Sequence, residues 1–216
     1  MKYEVVIFDL DGTILNTLDD LADSLNVILA KNNFPTHTND EVRMFVGNGI
    51  HKLIERALPS GTDLETQNRI YNEYSEYYCQ HSQDKTRPYH GIPELLKELH
   101  NLGIKVAVNT NKNEDIAKII CKKYFSGAID YIAGGKKDVP HKPDPSGVYT
   151  ILKELNIKNK AALYVGDSDV DIMTGKNSGL DVASVCWGFR SNEFLREHGS
   201  KIIFEDTEKL LNYIIN

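Results

Sequence analysis

The chain has 216 residues, 41% of them hydrophobic, enough for one full core and a smaller second unit. A net charge of -6 without a dense basic run excludes a nucleic-acid surface, and no apolar stretch approaches the roughly 20 residues that cross a bilayer. Cys79, Cys121 and Cys186 form neither a zinc motif nor a disulfide framework, so reduced structural thiols in a cytoplasmic protein are expected.

The first element is the run Val5-Val6-Ile7-Phe8, which ends in Asp9-Leu10-Asp11-Gly12-Thr13. A continuous apolar run suits a strand of a parallel sheet covered on both faces, and ligands of such sheets bind beyond the carboxyl ends of the strands. Two carboxylates this close repel unless a cation or a shared proton intervenes, and Mg²⁺ is the natural candidate for an oxygen-ligand site. An Asp-x-Asp-Gly segment is also what an ordinary strand-to-loop turn looks like, since Asp and Gly are common turn residues.

Residues 15 to 88 carry helical spacing and no convincing strand. Leu18, Leu21, Ala22, Leu25, Ile28 and Leu29 predict one amphipathic helix that stops near Pro35. A short second helix is expected over Thr38 to Val46, and a third from Asn48 or Gly49 to Ala57. A fourth begins near Thr62 and carries Tyr71, Tyr74 and Tyr78 on one face, as bundle packing. From residue 89 onward strands and helices alternate: a helix from Ile92 to His100, a strand over 104–111, a short strand over 131–135, a helix ending at Leu155, and a strand over 161–167. Alternation of this kind implies right-handed parallel crossovers and a layered α/β sandwich.

Asp-x-Asp-Gly-Thr at 9–13, a Thr-tipped strand at Thr110, the pair Lys142-Pro143, and Gly166-Asp167 followed by Asp171 occur in that order. Together they resemble the haloacid dehalogenase superfamily of phosphohydrolases. Val46-Gly47-Asn48-Gly49, Asn109-Thr110-Asn111-Lys112 and His141-Lys142-Pro143-Asp144-Pro145 are most similar to its phosphoglycolate phosphatase branch. The resemblance implies a Rossmann-like three-layer sandwich with a mainly parallel sheet over 1–14 and 89–216. It also implies an inserted all-helical cap domain over 15–88, with hinge strands near 14–17 and 85–89.

By the same resemblance Asp9 is a nucleophile that takes the phosphoryl group as an aspartyl phosphate, and Asp11 is the acid and base. Thr110 and Asn111 bind phosphate. Lys142 neutralises both the phosphoryl oxygens and Asp9, with Lys112 and Lys136 as competing candidates. Asp9, Asp11 (through its carbonyl) and Asp167 hold Mg²⁺, and Asp171 is a further ligand or holds a bound water and Lys142 in place. Asp169 sits where a helix N-terminus is expected and also reads as a plain cap. Substrate selection falls to Arg43, Gly47, Asn48, Gly49 and Lys52, although charges there also read as a solvated helix face.

The implied activity is Mg²⁺-dependent hydrolysis of a small phosphorylated metabolite, with 2-phosphoglycolate foremost, in a monomer or homodimer without nucleic-acid or membrane partners. A phosphomutase or an inorganic pyrophosphatase needs the same core motifs, although Thr13 disfavours the mutase. A non-enzymatic phosphoacceptor would also use clustered acids, a Thr and a Lys, but would leave the helical insertion unexplained.

Overall fold

The computed structural model describes residues 2–216. The chain opens with β1 (Val5–Phe8) and passes through a short strand, β2 (Leu15–Asn16), into four helices: α1 (Leu18–Lys31), α2 (Asn39–Phe45), α3 (Ile50–Ala57) and α4 (Leu64–His81). It returns along β3 (Arg87–Pro88) and then alternates through α5 (Ile92–Asn101), β4 (Lys105–Asn113), α6 (Glu114–Phe125), β5 (Tyr131–Gly135) and α7 (Ser146–Leu155). The last elements are β6 (Ala162–Gly166), α8 (Asp169–Ser178), β7 (Asp181–Val185), α9 (Asn192–Glu197), β8 (Ile203–Phe204) and α10 (Thr207–Ile215). Two compact units result, one of Asn16–Arg87 and one of the residues on either side of that insertion.

The larger unit is built on a six-stranded sheet in the order β5-β4-β1-β6-β7-β8, with every pairing parallel. All four residues of β1 are fully buried, as expected of a central strand covered on both faces. Each such side chain stabilises the fold by roughly 1.5–3 kcal/mol relative to exposure. Val5 and Ile7 lie in a cluster with Ala107, Tyr164 and the α7 residues Val148, Ile151 and Leu152. The strand order reverses at β1. β4 and β5 extend the sheet to one side, and β6, β7 and β8 extend it to the other. This reversal opens a crevice at the carboxyl ends of β1, β4 and β6.

The smaller unit is helical, with α1 packed on α4 and α2 and α3 completing the bundle. Thr38 and Val46 prove to be the two caps of α2 rather than part of it. Thr38 forms a reciprocal capping box with Glu41, which satisfies otherwise unpaired backbone donors. Tyr74 and Tyr78 are buried and stacked on each other, as bundle packing requires, while Tyr71 stacks on His51. Buried Asp20 accepts hydrogen bonds from the backbone N–H groups of Lys85 and Thr86, both at 2.8 Å, and so ties α1 to the segment after α4. Among the described residues no helix is long and apolar enough to cross a membrane. The three cysteines are free thiols. Cys121 is buried, whereas Cys79 is exposed and therefore has no core role.

Candidate active site

Three strand ends deliver the acidic groups and their partners. Asp9 follows β1, Thr110, Asn111 and Lys112 lie in the last stretch of β4, and Asp167 follows β6. β4 departs from regular pairing here: Asn109 pairs with Ala133 and Asn113 with Gly135, so the residues between them bulge. A bulge re-aims side chains that strict alternation would send to opposite faces.

Lys142 is the cation at the centre. Its Nζ lies 2.6 Å from Asp9 Oδ1 and 2.7 Å from Asp171 Oδ1, and all three side chains are under a tenth exposed. Burial by itself would depress the ammonium, but the carboxylates of Asp171 and Asp9 outweigh it and hold Lys142 protonated well above the ordinary lysine range. Burial raises Asp9 above the ordinary carboxylate range. Lys142 opposes that rise, and the negative charges of Asp171 and Asp167 add to it.

Asp171 accepts from four groups: Lys142 Nζ and the Tyr164 hydroxyl on Oδ1, and the Ser168 N–H and Oγ–H on Oδ2. Ser168 and Asp171 form the capping box that starts α8. The cap of this helix is therefore Ser168, and Asp169, considered for that role from the sequence, is simply its first helical residue. Asp171 fits the task of holding Lys142 better than that of a direct cation ligand, because its acceptor positions are already occupied.

Asp167 is enclosed. The Thr13 hydroxyl donates to its Oδ1 at 3.0 Å and the Phe189 N–H donates to its Oδ2 at 2.7 Å. Burial, reinforced by the charge of Asp171, pushes its pKa up to about 7. Space around it is minimal: a Cβ on Gly12, whose φ is +92°, would lie 2.4 Å from Asp167 Oδ2, and one on Gly188 would lie 2.2 Å from the Gly12 carbonyl oxygen. Asp9, Asp167 and Asp171 each offer a carboxylate oxygen, all within 4.8 Å of one another. With Asp171 already occupied, Asp9 and Asp167 are the carboxylates of this set that fit a hard divalent cation, whose charge would relieve both the burial and the mutual repulsion of the three acids.

The other β4 residues each serve a different neighbour. The Lys112 backbone N–H donates to Thr110 Oγ1 at 3.2 Å. The side chain of Asn111 clasps the Lys142 backbone, accepting from its N–H at 2.8 Å and donating to its carbonyl at 3.3 Å. Its amide thus supports the Lys142 backbone beside the proposed phosphate position. Lys112 Nζ sits 2.8 Å from Asp11 Oδ1. The Asp11 carboxylate accordingly stands outside the buried acid cluster. Lys136, the other competing lysine, pairs with Glu114 at 2.9 Å.

In the helical unit Arg43 pairs with Asp40 at 2.8 Å and Lys52 with Glu55 at 2.6 Å, both exposed pairs on helix surfaces. Gly47 and Gly49 take positive φ values of 116° and 83°, which only glycine adopts readily. Arg56 braces the turn between them, donating to the Phe45 carbonyl at 2.7 Å and to Asn48 Oδ1 at 2.8 Å.

Several contacts, as distinct from the residues that make them, leave no mark in the sequence. Phe189 acts through its backbone, Trp187 Nε1 donates to the Thr13 carbonyl at 2.9 Å, and Lys112 meets a partner 101 residues away. The Ser168/Asp171 capping box was readable, as a Ser followed three residues later by an acid before a helical run.

A parallel sheet with buried aspartates and a lysine gathered at its switch point defines the class, a hydrolase of α/β fold. A model of the haloacid dehalogenase-like hydrolase family matches residues 6–185. The chain belongs to that family. Among curated relatives, the phosphoglycolate phosphatase of Aquifex aeolicus is 34% identical, over 86% of this chain and 85% of its own length. That of Psychrobacter arcticus is 29% identical, over 100% and 97%. Among solved structures, a provisionally named phosphoglycolate phosphatase from Lactobacillus delbrueckii subsp. bulgaricus superposes with a TM-score of 0.95 at 33% identity, covering 99% of both chains.

Proposed function

We propose that this protein is a Mg²⁺-dependent phosphatase that hydrolyses a small phosphorylated metabolite, 2-phosphoglycolate foremost, through a phosphorylated Asp9. The observation that carries the reading is Lys142, buried between Asp9 and Asp171 at 2.6 and 2.7 Å, at the carboxyl end of β1. Full-length similarity to phosphoglycolate phosphatases supports the choice of substrate.

A phosphate monoester resists attack because its oxygens are negatively charged, so positioning and charge neutralisation do most of the work. The Lys142 ammonium supplies one fixed positive charge, and the Thr110 hydroxyl, which already accepts from the Lys112 N–H, has its proton to donate to a phosphoryl oxygen. The Asp9 carboxylate attacks phosphorus in line, and the bond from phosphorus to the leaving oxygen breaks as Asp11 gives that oxygen a proton. Water then attacks the phosphorylated Asp9, Asp11 takes the water's proton, and inorganic phosphate leaves with the Asp9 carboxylate restored. Asp9, Asp167 and the Asp11 carbonyl would hold Mg²⁺, which supplies further neutralisation of phosphoryl charge. Asp171 keeps Lys142 in place. The helical unit, through Arg43, Gly47, Asn48, Gly49 and Lys52, is assigned the choice of substrate.

The test is phosphate release from phosphoglycolate, pyrophosphate, hexose phosphates and nucleotides, with Mg²⁺ or with EDTA. Metal-dependent release, strongest for phosphoglycolate, is expected. Absence of release from every compound would refute the reading and shift weight to a phosphomutase.

A further inference from the structure

We propose that Lys112 is a positioning residue for Asp11, fixing the carboxyl group that exchanges protons with the leaving oxygen and with water. This rests on the acid–base role of Asp11 given above. Asp11 follows the buried strand β1 but is itself only partly covered, with a side chain 21% exposed. An aspartate on a turn at that exposure has several staggered rotamers open to it. Proton transfer, however, requires the carboxyl oxygen to sit within hydrogen-bond reach of the reacting atom, about 2.6–3.2 Å. Lys112 supplies what the turn lacks. Its side chain is 3% exposed, so the stem is packed, the ammonium position is fixed, and Nζ meets Asp11 Oδ1 at 2.8 Å.

The local fold explains why a lysine from β4 can do this. In the bulged stretch between Asn109 and Asn113, three successive residues face three different tasks. Thr110 presents its hydroxyl, Asn111 grips the Lys142 backbone, and Lys112 holds Asp11. The two buried lysines divide the acids between them. Lys142 takes Asp9 and Asp171, and Lys112 takes Asp11.

A residue that acts by placing the general acid has a signature that a merely structural lysine lacks. Formation of the phosphorylated Asp9 needs the acid when the leaving oxygen is a poor leaving group, as in an alkyl phosphate, and needs it far less when that oxygen leaves easily, as in p-nitrophenyl phosphate. The experiment measures kcat/KM, which reports this first step, for both esters in Lys112→Met, Asp11→Asn and the double variant. Lys112→Met is expected to lower kcat/KM for phosphoglycolate by about 10- to 100-fold, in the range that small misplacements of catalytic groups cause. The loss on p-nitrophenyl phosphate should be several-fold smaller. Adding Lys112→Met to Asp11→Asn should cause no further loss beyond about twofold, because both changes remove one function.

Equal losses on both esters, or full additivity in the double variant, would overturn the proposal. If Asp11→Asn itself slows both esters equally, the acid–base reading fails and this proposal falls with it. If Asp11→Asn discriminates between the esters and Lys112→Met does not, only the proposal fails. Lys112→Gln, which retains a donor without the charge, replaces Lys112→Met should the latter fail to fold, and is read by the same ester comparison.

Discussion

Replacing Asp167 by asparagine should trade activity for stability in a pH-dependent way. Burial and the neighbouring Asp171 raise its pKa from 3.8 to about 7. A carboxyl whose pKa is raised by folding contributes fully below the unfolded value, and its contribution fades as pH rises through the folded value. The loss therefore accumulates between about pH 4 and 7 and reaches about 4 kcal/mol above pH 8, at 1.36 kcal/mol per unit. Asparagine has no proton to lose and avoids that cost. It must turn either its oxygen or its amide toward the Phe189 N–H and Thr13, and the poorer fit costs about 1 kcal/mol, the net worth of one hydrogen bond. In EDTA, Asp167→Asn should thus be more stable than the wild type by about 3 kcal/mol at pH 8.5 and of about equal stability at pH 4.5. Urea midpoints at half-unit pH steps would read the difference. Asp9, also raised by burial, keeps some slope in both proteins, so the quantity to follow is the gap between them. Curves that stay parallel from pH 4 to 8.5 would refute the reasoning, as would undiminished phosphatase activity in the variant.

Asp9→Asn should abolish turnover and leave no phosphorylated protein detectable as a mass increase after brief exposure to substrate; persistent labelling would place the nucleophile elsewhere. Lys142→Ala leaves Asp9 and Asp171 buried without their cation. It should cost about 3–5 kcal/mol at pH 7.5 and less at pH 5, where Asp9, raised by burial, takes up a proton more readily, as followed by thermal unfolding at both pH values. Asp20→Ala removes the acceptor of two backbone N–H groups. It should lower the stability of the helical unit by about 2–4 kcal/mol, measurable as faster amide exchange at Lys85 and Thr86.

How much of this was legible beforehand depended on range. The strand before Asp9, the Thr at the tip of β4 and the Gly-Asp after β6 are local patterns, and a local pattern survives in the sequence. The helices of the insertion were readable for the same reason, because apolar residues recur at three- and four-residue steps along α1. The choice among Lys112, Lys136 and Lys142 was not readable on physical grounds. Each meets its carboxylate through the folded chain, Lys142 with Asp9 133 positions away, and nothing adjacent to a lysine in sequence records that distance. The contact of Asn111 with the Lys142 backbone was not legible either, because a side chain on a bulge no longer follows strand alternation. The Phe189 N–H that steadies Asp167 carries no residue signature at all, since every residue except proline has one.

Asp171 is both the N-terminal brace of α8 and the anchor of the central lysine. A chain in which the first turn of α8 has not yet wound leaves Lys142 with Asp9 alone, so the two-sided grip that centres the ammonium forms together with that turn.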